Sequence, residues 1–208
     1  MTAGLLLIGA SGLAREVIAA GVTGVVGILD DNLDLHGTEV AGVPVVGSIV
    51  DAVKREESLL VCVGPSLGRR HVVRRLHKFG VSGDRYATYV ARSARVGATS
   101  DIDRGSIVMD GVVITADAKI GRHVVIMPNC TITHDNVLGD FATLAAGVSL
   151  GGSVHIRESA YIGMNVSVRQ GLTIGAEATI GMGAVVLEDV PDEQTWVGIP
   201  AHPLGVTS

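Results

Sequence analysis

The sequence predicts a fold in two parts: a small α/β domain that begins with a Rossmann-like βαβ unit, and a parallel β-helix of hexapeptide repeats that follows it. Short aliphatic runs alternate with helical patterns in the first 85 residues, and a glycine turn follows the first run. Beyond them, an aliphatic residue recurs at every sixth position. The chain also combines 28 glycines with only 3% aromatic residues, which favours many thin layers over one bulky core.

The composition narrows the class of protein. Of the 208 residues, 47% are hydrophobic and 18% are charged, so the chain can bury a core and is not disordered. Its formal net charge of -5 and its few aromatic residues argue against nucleic acid as a partner.

Membrane and secretion signals are weak. The longest uncharged apolar-rich run, Val17 to Leu29, is shorter than the ~20 residues of a spanning helix, so no membrane span is expected. The N-terminus lacks the basic segment of a signal peptide. Cys62 and Cys130 lie in apolar, strand-like surroundings, and we interpret them as reduced buried thiols of a cytoplasmic protein.

The first domain is predicted from its alternating patterns. The segments LLLI, VVGIL and SLLVCVG are typical of strands, and the segments between and after them have helical spacing. The predicted order is strand 5–8, turn 9–12, helix 13–20, strand 25–29, helix 48–57, strand 58–64 and helix 69–80, the last closed by Gly80.

The turn GASG, residues 9–12, is a candidate nucleotide contact. Gly9, Ser11 and Gly12 leave room for a phosphate to approach the backbone N–H groups at the helix start. Asp30 and Asp31 end the second strand, about twenty residues further on, where a carboxylate can meet a ribose hydroxyl. The domain is too short for a dinucleotide, so a mononucleotide-sized ligand fits better than NAD. A tight turn without any ligand remains the alternative.

The repeat decides the fold of the second part. At every sixth position from Val90 to Val186, seventeen positions in all, the residue is Val, Ile or Leu. A hexapeptide period is that of a parallel β-helix, in which each repeat contributes one short strand and one turn with its aliphatic side chain inside. Helical and coiled-coil interpretations fail because two turns of a helix take about seven residues, at 3.5 or 3.6 residues per turn, and the period here is six.

An ordered set of motifs resembles a known family. The segments LLLIGASGLAREV, GILDDN, GVPVVGS, VCVGPSLGRR, THDNVLGDF and VGIPA follow one another as in the sialic acid O-acetyltransferase and nucleotide-aminosugar N-acetyltransferase family of hexapeptide acyltransferases. The resemblance implies a left-handed β-helix with eighteen residues per coil, acetyl-CoA as co-substrate, and a homotrimer with active sites between subunits. It also implies domain limits of 1–85 for nucleotide-sugar binding, 86–190 for the β-helix and 191–208 for a C-terminal cap.

The resemblance assigns chemistry to the pair at 134 and 135. His134 corresponds to the family's general base and Asp135 to its supporting carboxylate, with Asp140 as an alternative orienting group. At eighteen residues per coil, His134 is expected to stack between Ala116 and Gly152, both small.

The resemblance also implies where the CoA moiety lies. Candidate residues for that contact are Thr143, Gly152, Gly163, Ala184, Ile199, Pro200 and Ala201. The chain departs from the family's usual pattern at Leu13 and Thr143, where histidines are frequent, and at His202, where Lys or Arg is common. The scattered histidines have no metal-ligand spacing, so no metal is expected.

The leading hypothesis is therefore acetyl-CoA-dependent N-acetylation of a nucleotide-linked 4-amino-4,6-dideoxy sugar by direct attack, with no acyl-enzyme. O-acetylation of a sugar hydroxyl, as on sialic acid, is the second hypothesis. A non-catalytic nucleotide-sugar sensor is the third. A NAD-dependent oxidoreductase is excluded, because nothing in the β-helix supplies a site for hydride transfer.

Overall fold

The computed structural model describes residues 4–205. Residues 1–3 of the first predicted domain and residues 206–208 of the predicted cap lie outside it. The N-terminal part is a five-stranded sheet in the order β3-β4-β2-β1-β5, parallel except for the β3–β4 pair. Its elements are β1 Leu5–Ile8, α1 Gly12–Ala19, β2 Val25–Leu29, β3 Glu39–Val40, β4 Val43–Gly47, β5 Ser58–Val61 and α2 Ser66–Lys78. The predicted strand–turn–helix–strand order is present.

One predicted helix differs in kind from the expectation. Residues 48–57 were expected to form an α-helix, but the structure has a six-residue 3-10 helix, Ile49–Lys54. Ser48 does begin it, in a capping box with Asp51. The segment contains three β-branched residues, which have low helix propensity, and Arg55 is already extended. Two further short 3-10 helices cover Leu33–Leu35 and Gly83–Arg85.

The C-terminal part is a parallel β-helix with three faces. The first face contains Tyr89–Val90, Ile107–Val108, Val125–Ile126, Thr143–Leu144, Tyr161–Ile162, Thr179–Ile180, Thr195–Val197 and His202–Pro203. The second contains Arg95–Val96, Val113–Ile114, Thr131–Ile132, Ser149–Leu150, Ser167–Val168 and Val185–Val186. The third contains Asp101–Ile102, Lys119–Ile120, Val137–Leu138, His155–Ile156 and Thr173–Ile174.

Three columns of turns, one at each corner of the triangular cross-section, join these faces. The methionine corner joins the first to the second face and includes Met164 and Met182. The histidine corner joins the second to the third face and includes His134. The helix corner joins the third to the first face; α2 packs against it, and Arg70 forms ion pairs with Glu158 at 3.1 Å and Glu177 at 2.6 Å.

The coil length is eighteen residues. Thr131 pairs with Val113 on one side and Ser149 on the other, each eighteen residues away. The aliphatic column points inward and is buried from Val108 onward, whereas Val90, at the open first coil, remains 40% exposed. At the other end Trp196 packs into the same core, as expected of a cap.

The two parts of the chain share one hydrophobic cluster, beside a cluster of their own in each part. Leu7, Leu13 and Ile28 of the N-terminal part pack in one cluster with Ile107 and Val125 of the first face. The α/β part is therefore fixed on the first face rather than linked to it loosely. Within residues 4–205, no helix is long and apolar enough to cross a membrane.

A buried histidine lies at the helix corner. The His123 imidazole stacks on Phe141, with ring centroids 5.1 Å apart, and meets the edge of Tyr86 at 4.6 Å. Burial, followed by the charges of Arg69 and Arg122, lowers the pKa of His123 to about 4. The ring is therefore neutral at pH 7 and functions as a packing group.

This burial predicts a pH-dependent stability. Between about pH 6.5 and 4 the unfolded chain binds a proton at His123 that the folded chain does not, so the free energy of unfolding falls with pH by up to about 3 kcal/mol. His123→Asn, which tolerates the φ of +55° at this position, should flatten the dependence in urea unfolding between pH 7 and 4.5. His155→Asn, at an exposed position, is the control. Parallel curves for wild type and His123→Asn would contradict the assignment.

Candidate active site

The histidine corner presents an imidazole–carboxylate pair to solvent. His134 Nδ1 lies 2.7 Å from Asp135 Oδ2, and more than half of each side chain is exposed. The left-handed backbone of Asp135, with a φ of +59°, turns its carboxylate back toward the preceding ring. The predicted contact between the two neighbours is therefore present. Asp140, the alternative, lies at the helix corner and accepts a hydrogen bond from the Arg122 N–H.

The contact leaves the other ring nitrogen available. A carboxylate at Nδ1 favours the tautomer with the proton on Nδ1, so that Nε2 carries the lone pair. Gly152 stacks on this side, as the coil length predicts, and a methyl group there would stand 2.5 Å from Cε1 and Nε2. Only a residue without a side chain leaves the ring in this position. The arrangement is that of an exposed base.

A residue that the sequence did not single out holds this turn. Asn136 is fully buried, and its side-chain amide donates to the carbonyls of Thr133 and Gly151 while its Oδ1 accepts from the Val154 N–H. These bonds tie the turn of His134 to the next coil. The signal was available: Asn interrupts a column of small and aliphatic residues at this position.

Most of the predicted CoA contacts lie along the methionine corner or at its C-terminal end. Met164 and Met182 are 47% and 79% exposed, eighteen residues apart, and Ile199 beyond them is 76% exposed. Together with Pro200 they form an apolar column on the surface. Gly163 and Ala184 lie in the same turns, and Ala201 lies at the end of the column.

The individual positions differ in what they can offer to a ligand. Ala184 and Ala201 are buried, and both backbone polar groups of Ala184 are bonded, so Ala184 has no free polar group. A methyl group on Gly163 would stand 2.6 Å from the Met182 nitrogen, so this glycine allows two coils to approach. Thr143 is buried on the first face, and its hydroxyl is bonded to Ser66 at 2.8 Å and Arg69 at 2.9 Å. Contacts of these four residues with CoA stay predictions.

A cleft of about 850 Å³ separates the α/β part from the first face. The starts of α1 and α2 form one wall, and the β-helix forms the other. Two of the three positions that depart from the family pattern, Leu13 and Thr143, line it. Further lining residues are Gly12, Gly64, Pro65, Met127 and Met164.

The predicted nucleotide contacts lie at the carboxyl ends of β1 and β2, and most already have partners. Gly9 is buried. Ser11 caps α1 by accepting from the Leu13 N–H at 3.1 Å and donates to the Cys62 carbonyl. Asp30 accepts from the Ala10 N–H at 2.7 Å, so it closes onto the glycine turn.

The two remaining predicted contacts differ in accessibility. Asp31 pairs with Arg75 at 2.6 Å and accepts from the Ile49 N–H. Gly12 is exposed and lines the cleft. Nucleotide binding by these residues stays a prediction.

The geometry thus contains two separated candidate half-sites. The cleft runs along the first face, whereas His134 lies at the corner between the second and third faces, on the opposite edge of the triangular cross-section. Within residues 4–205, no cluster of three or more His, Cys, Asp or Glu side chains could hold a metal ion.

Comparisons with known proteins agree with this architecture. No family model matches the chain. Among solved structures, it is similar to the GDP-perosamine N-acetyltransferase of Caulobacter crescentus, a histidine-to-alanine mutant in complex with CoA and GDP-perosamine, at 32% identity and a TM-score of 0.88 over 99% of this chain and 98% of that one. It is also similar to the acetyltransferase domain of PglB from Neisseria gonorrhoeae in complex with acetyl coenzyme A, at 30% identity and a TM-score of 0.86 over 98% of this chain and 100% of that one. WeeI from Acinetobacter baumannii is 26% identical, with a TM-score of 0.71 over 98% and 100% of the two chains.

These similarities over nearly the whole chain define a hexapeptide-repeat acyltransferase. The chain belongs to the family that its motifs indicated, the sialic acid O-acetyltransferase and nucleotide-aminosugar N-acetyltransferase family. The class of enzyme predicted from the sequence is thereby confirmed.

The contact of Gly152 with His134 generates a test. Gly152→Ala should push the imidazole out of its position and lower acyl transfer by about a hundredfold, because the base no longer reaches its substrate. The φ of Gly152 is not in the left-handed region, so the thermal midpoint should change little. Release of CoA thiol and thermal unfolding measure the two effects. Gly83→Ala, where a methyl group meets nothing within 4 Å, is the control. Undiminished transfer by Gly152→Ala would contradict the site.

Proposed function

We propose that this protein transfers the acetyl group of acetyl-CoA to the amino group of a nucleotide-linked 4-amino-4,6-dideoxy sugar. The observation that carries the proposal is the exposed His134–Asp135 pair with Nε2 free beside Gly152. Two relatives of known structure support it, one named as a GDP-perosamine N-acetyltransferase with CoA and GDP-perosamine bound, the other holding acetyl coenzyme A.

In the proposed reaction the sugar amine attacks the thioester carbonyl carbon directly. His134 Nε2 removes a proton from the attacking nitrogen, and Asp135 stabilises the imidazolium that forms. The C–S bond then breaks, and the CoA thiolate leaves and takes up the proton. No acyl-enzyme intermediate is needed, because the acceptor nitrogen is itself the nucleophile.

The oxygen of the tetrahedral intermediate needs a hydrogen-bond donor. Among the described residues, the N–H of Gly152 has no bonded acceptor, and this glycine adjoins the His134 ring. We assign this N–H to the developing oxyanion, where one preorganised donor contributes about 3 kcal/mol of transition-state stabilisation.

The substrates are assigned to the two half-sites. Nucleotide-sugar binding falls to a Rossmann-like domain, residues 1–85, with the sugar in the cleft at Gly12 and the nucleotide near Gly9, Ser11, Asp30 and Asp31. The pantetheine arm is assigned to the methionine corner of a left-handed β-helix, residues 86–190, with Gly163 and Ala184 along it and Thr143 near the cleft. The cap, residues 191–208, holds the adenine end near Ile199, Pro200 and Ala201.

Assembly follows from the separation of the half-sites. One chain cannot bring His134 to its own cleft, because the β-helix stands between them. We therefore propose a homotrimer in which the histidine corner of one copy faces the cleft and the methionine corner of the next. The cytoplasm is the proposed compartment, in keeping with two free buried cysteines.

The test is a panel of acceptors. CoA thiol release is measured with UDP-, dTDP- and GDP-linked 4-amino-4,6-dideoxy sugars, with His134→Ala, His134→Gln and the control His155→Ala beside the wild type. One sugar should drive turnover, and both His134 variants should lose at least about a hundredfold in kcat, as expected for a general base. His155 is exposed on the third face, so its variant should match the wild type.

The other outcomes separate the competing hypotheses. Turnover of a hydroxyl acceptor, such as sialic acid, without turnover of any amine would replace the proposal with O-acetylation. Nucleotide-sugar binding without turnover of any acceptor would point to the sensor. Full activity in His134→Ala would eliminate the proposed base whatever the acceptor.

A further inference from the structure

Arg69 of α2 is a fully buried cation without a carboxylate partner. Its side chain is 0% exposed, and within residues 4–205 it forms no ion pair. A buried charge is costly unless every polar group around it is well placed. Burial lowers the pKa of Arg69 to about 10, so the guanidinium stays charged at neutral pH.

The guanidinium bridges the two parts of the chain through six hydrogen bonds. Nη1 donates to the carbonyls of Val63 and Gly64, both at 2.8 Å, at the carboxyl end of β5. The bonds on the β-helix side run from Nε to the His123 carbonyl and from Nη2 to the carbonyls of Phe141 and Ala142 and to Thr143 Oγ1, at 2.7–3.2 Å. All five guanidinium N–H groups have an acceptor within reach.

The loop that Arg69 binds, residues 63–66, forms part of one wall of the cleft. Gly64, Pro65 and Ser66 line the cleft on one side and Thr143 lines it on the other. Ser66 Oγ lies 2.8 Å from Thr143 Oγ1, the same oxygen that accepts from Arg69. Arg69 therefore sets the separation of the two walls at the point where they meet.

We propose that Arg69 is a positioning residue for the acceptor sugar: it locks the loop Val63–Ser66 to the coil 123–143 and so fixes the acceptor at the height that the general base requires. The inference rests on the proposed function for its catalytic consequence, but the lock itself does not. Lysine cannot replace this residue. Its single ammonium group cannot reach the acceptors of the α/β part and those of the β-helix at the same time, as the planar guanidinium does.

The test compares Arg69→Lys and Arg69→Met with Arg74→Lys, an exposed arginine one turn further along the same helix. Hydrogen exchange at peptides covering 66–76, whose amides are bonded within α2 from the Arg69 N–H to the Pro65 carbonyl onward, should accelerate about tenfold in both Arg69 variants, whereas peptides covering 149–186 should be unchanged. For the acceptor sugar, kcat/KM per folded enzyme molecule should fall at least about tenfold, while the KM for acetyl-CoA stays within about twofold. Arg74→Lys should match the wild type in every measurement.

A general loss of stability would lower kcat only in proportion to the folded fraction, which urea unfolding measures, so a fall in kcat/KM per folded molecule identifies positioning. Unchanged exchange at 66–76 would overturn the lock. Faster exchange with unchanged kcat/KM would overturn the positioning.

Inactivity of the wild type on every amino sugar would contradict the proposed function and leave the role of Arg69 to be tested by binding. Calorimetric binding of UDP, dTDP and GDP then decides: about tenfold weaker nucleotide binding by Arg69→Lys supports the inference. Equal binding overturns it.

Discussion

The eighteen-residue coil is the constraint on which the rest of the structure depends. Between Tyr89 and Val186, neighbouring strands of each face are eighteen residues apart, so a side chain there lies directly against the same position of the neighbouring coils. Residues that act together therefore lie in columns that run along the β-helix. Gly152 makes room for His134, Asn136 holds the Val154 N–H, and Met164 continues into Met182, each pair eighteen residues apart.

This constraint explains why much of the β-helix could be predicted from the sequence. The six-residue period predicted the interior column. The eighteen-residue coil that the family resemblance implies predicted the neighbours of His134, because nearest neighbours in a solenoid are set by a fixed sequence separation. The same reasoning anticipated the space at Gly152. It did not anticipate Asn136, whose bonds depend on which way its side chain turns inside the coil.

The α/β part was less predictable, because its side chains find partners that no period specifies. Asp30, whose contact with a ribose stays a prediction, accepts from the Ala10 N–H, a partner that the sequence did not indicate. Segment 48–57 had a helical pattern, but its six-residue 3-10 helix ends at Lys54. Arg69 lies in a run of basic residues that resembles any solvated helix face; its burial follows only from the docking of α2 on the helix corner.

His134 and the cleft lie apart on one chain, and this separation determines what the proposed reaction requires. The proposed base, His134, lies on one edge of the β-helix and the proposed acceptor cleft on the opposite face, so under the proposed function a single chain has both components but no complete site. In the proposed reaction, activity depends on assembly, and the relative height of base and acceptor depends on how firmly the α/β part is fixed. The shared core around Ile107 and Val125 and the bonds of Arg69 provide that fixation.

The most direct test of this account is complementation between two inactive variants, His134→Ala and Gly64→Phe. Gly64 lines the cleft and has open space for a side chain, so phenylalanine fills the cleft without backbone strain. Each variant alone should be inactive. After the two are unfolded and refolded together in equal amounts, random trimers should regain about a quarter of the wild-type activity, because a quarter of the shared sites combine an intact cleft with an intact base. No recovery from mixed trimers would contradict a site shared between copies.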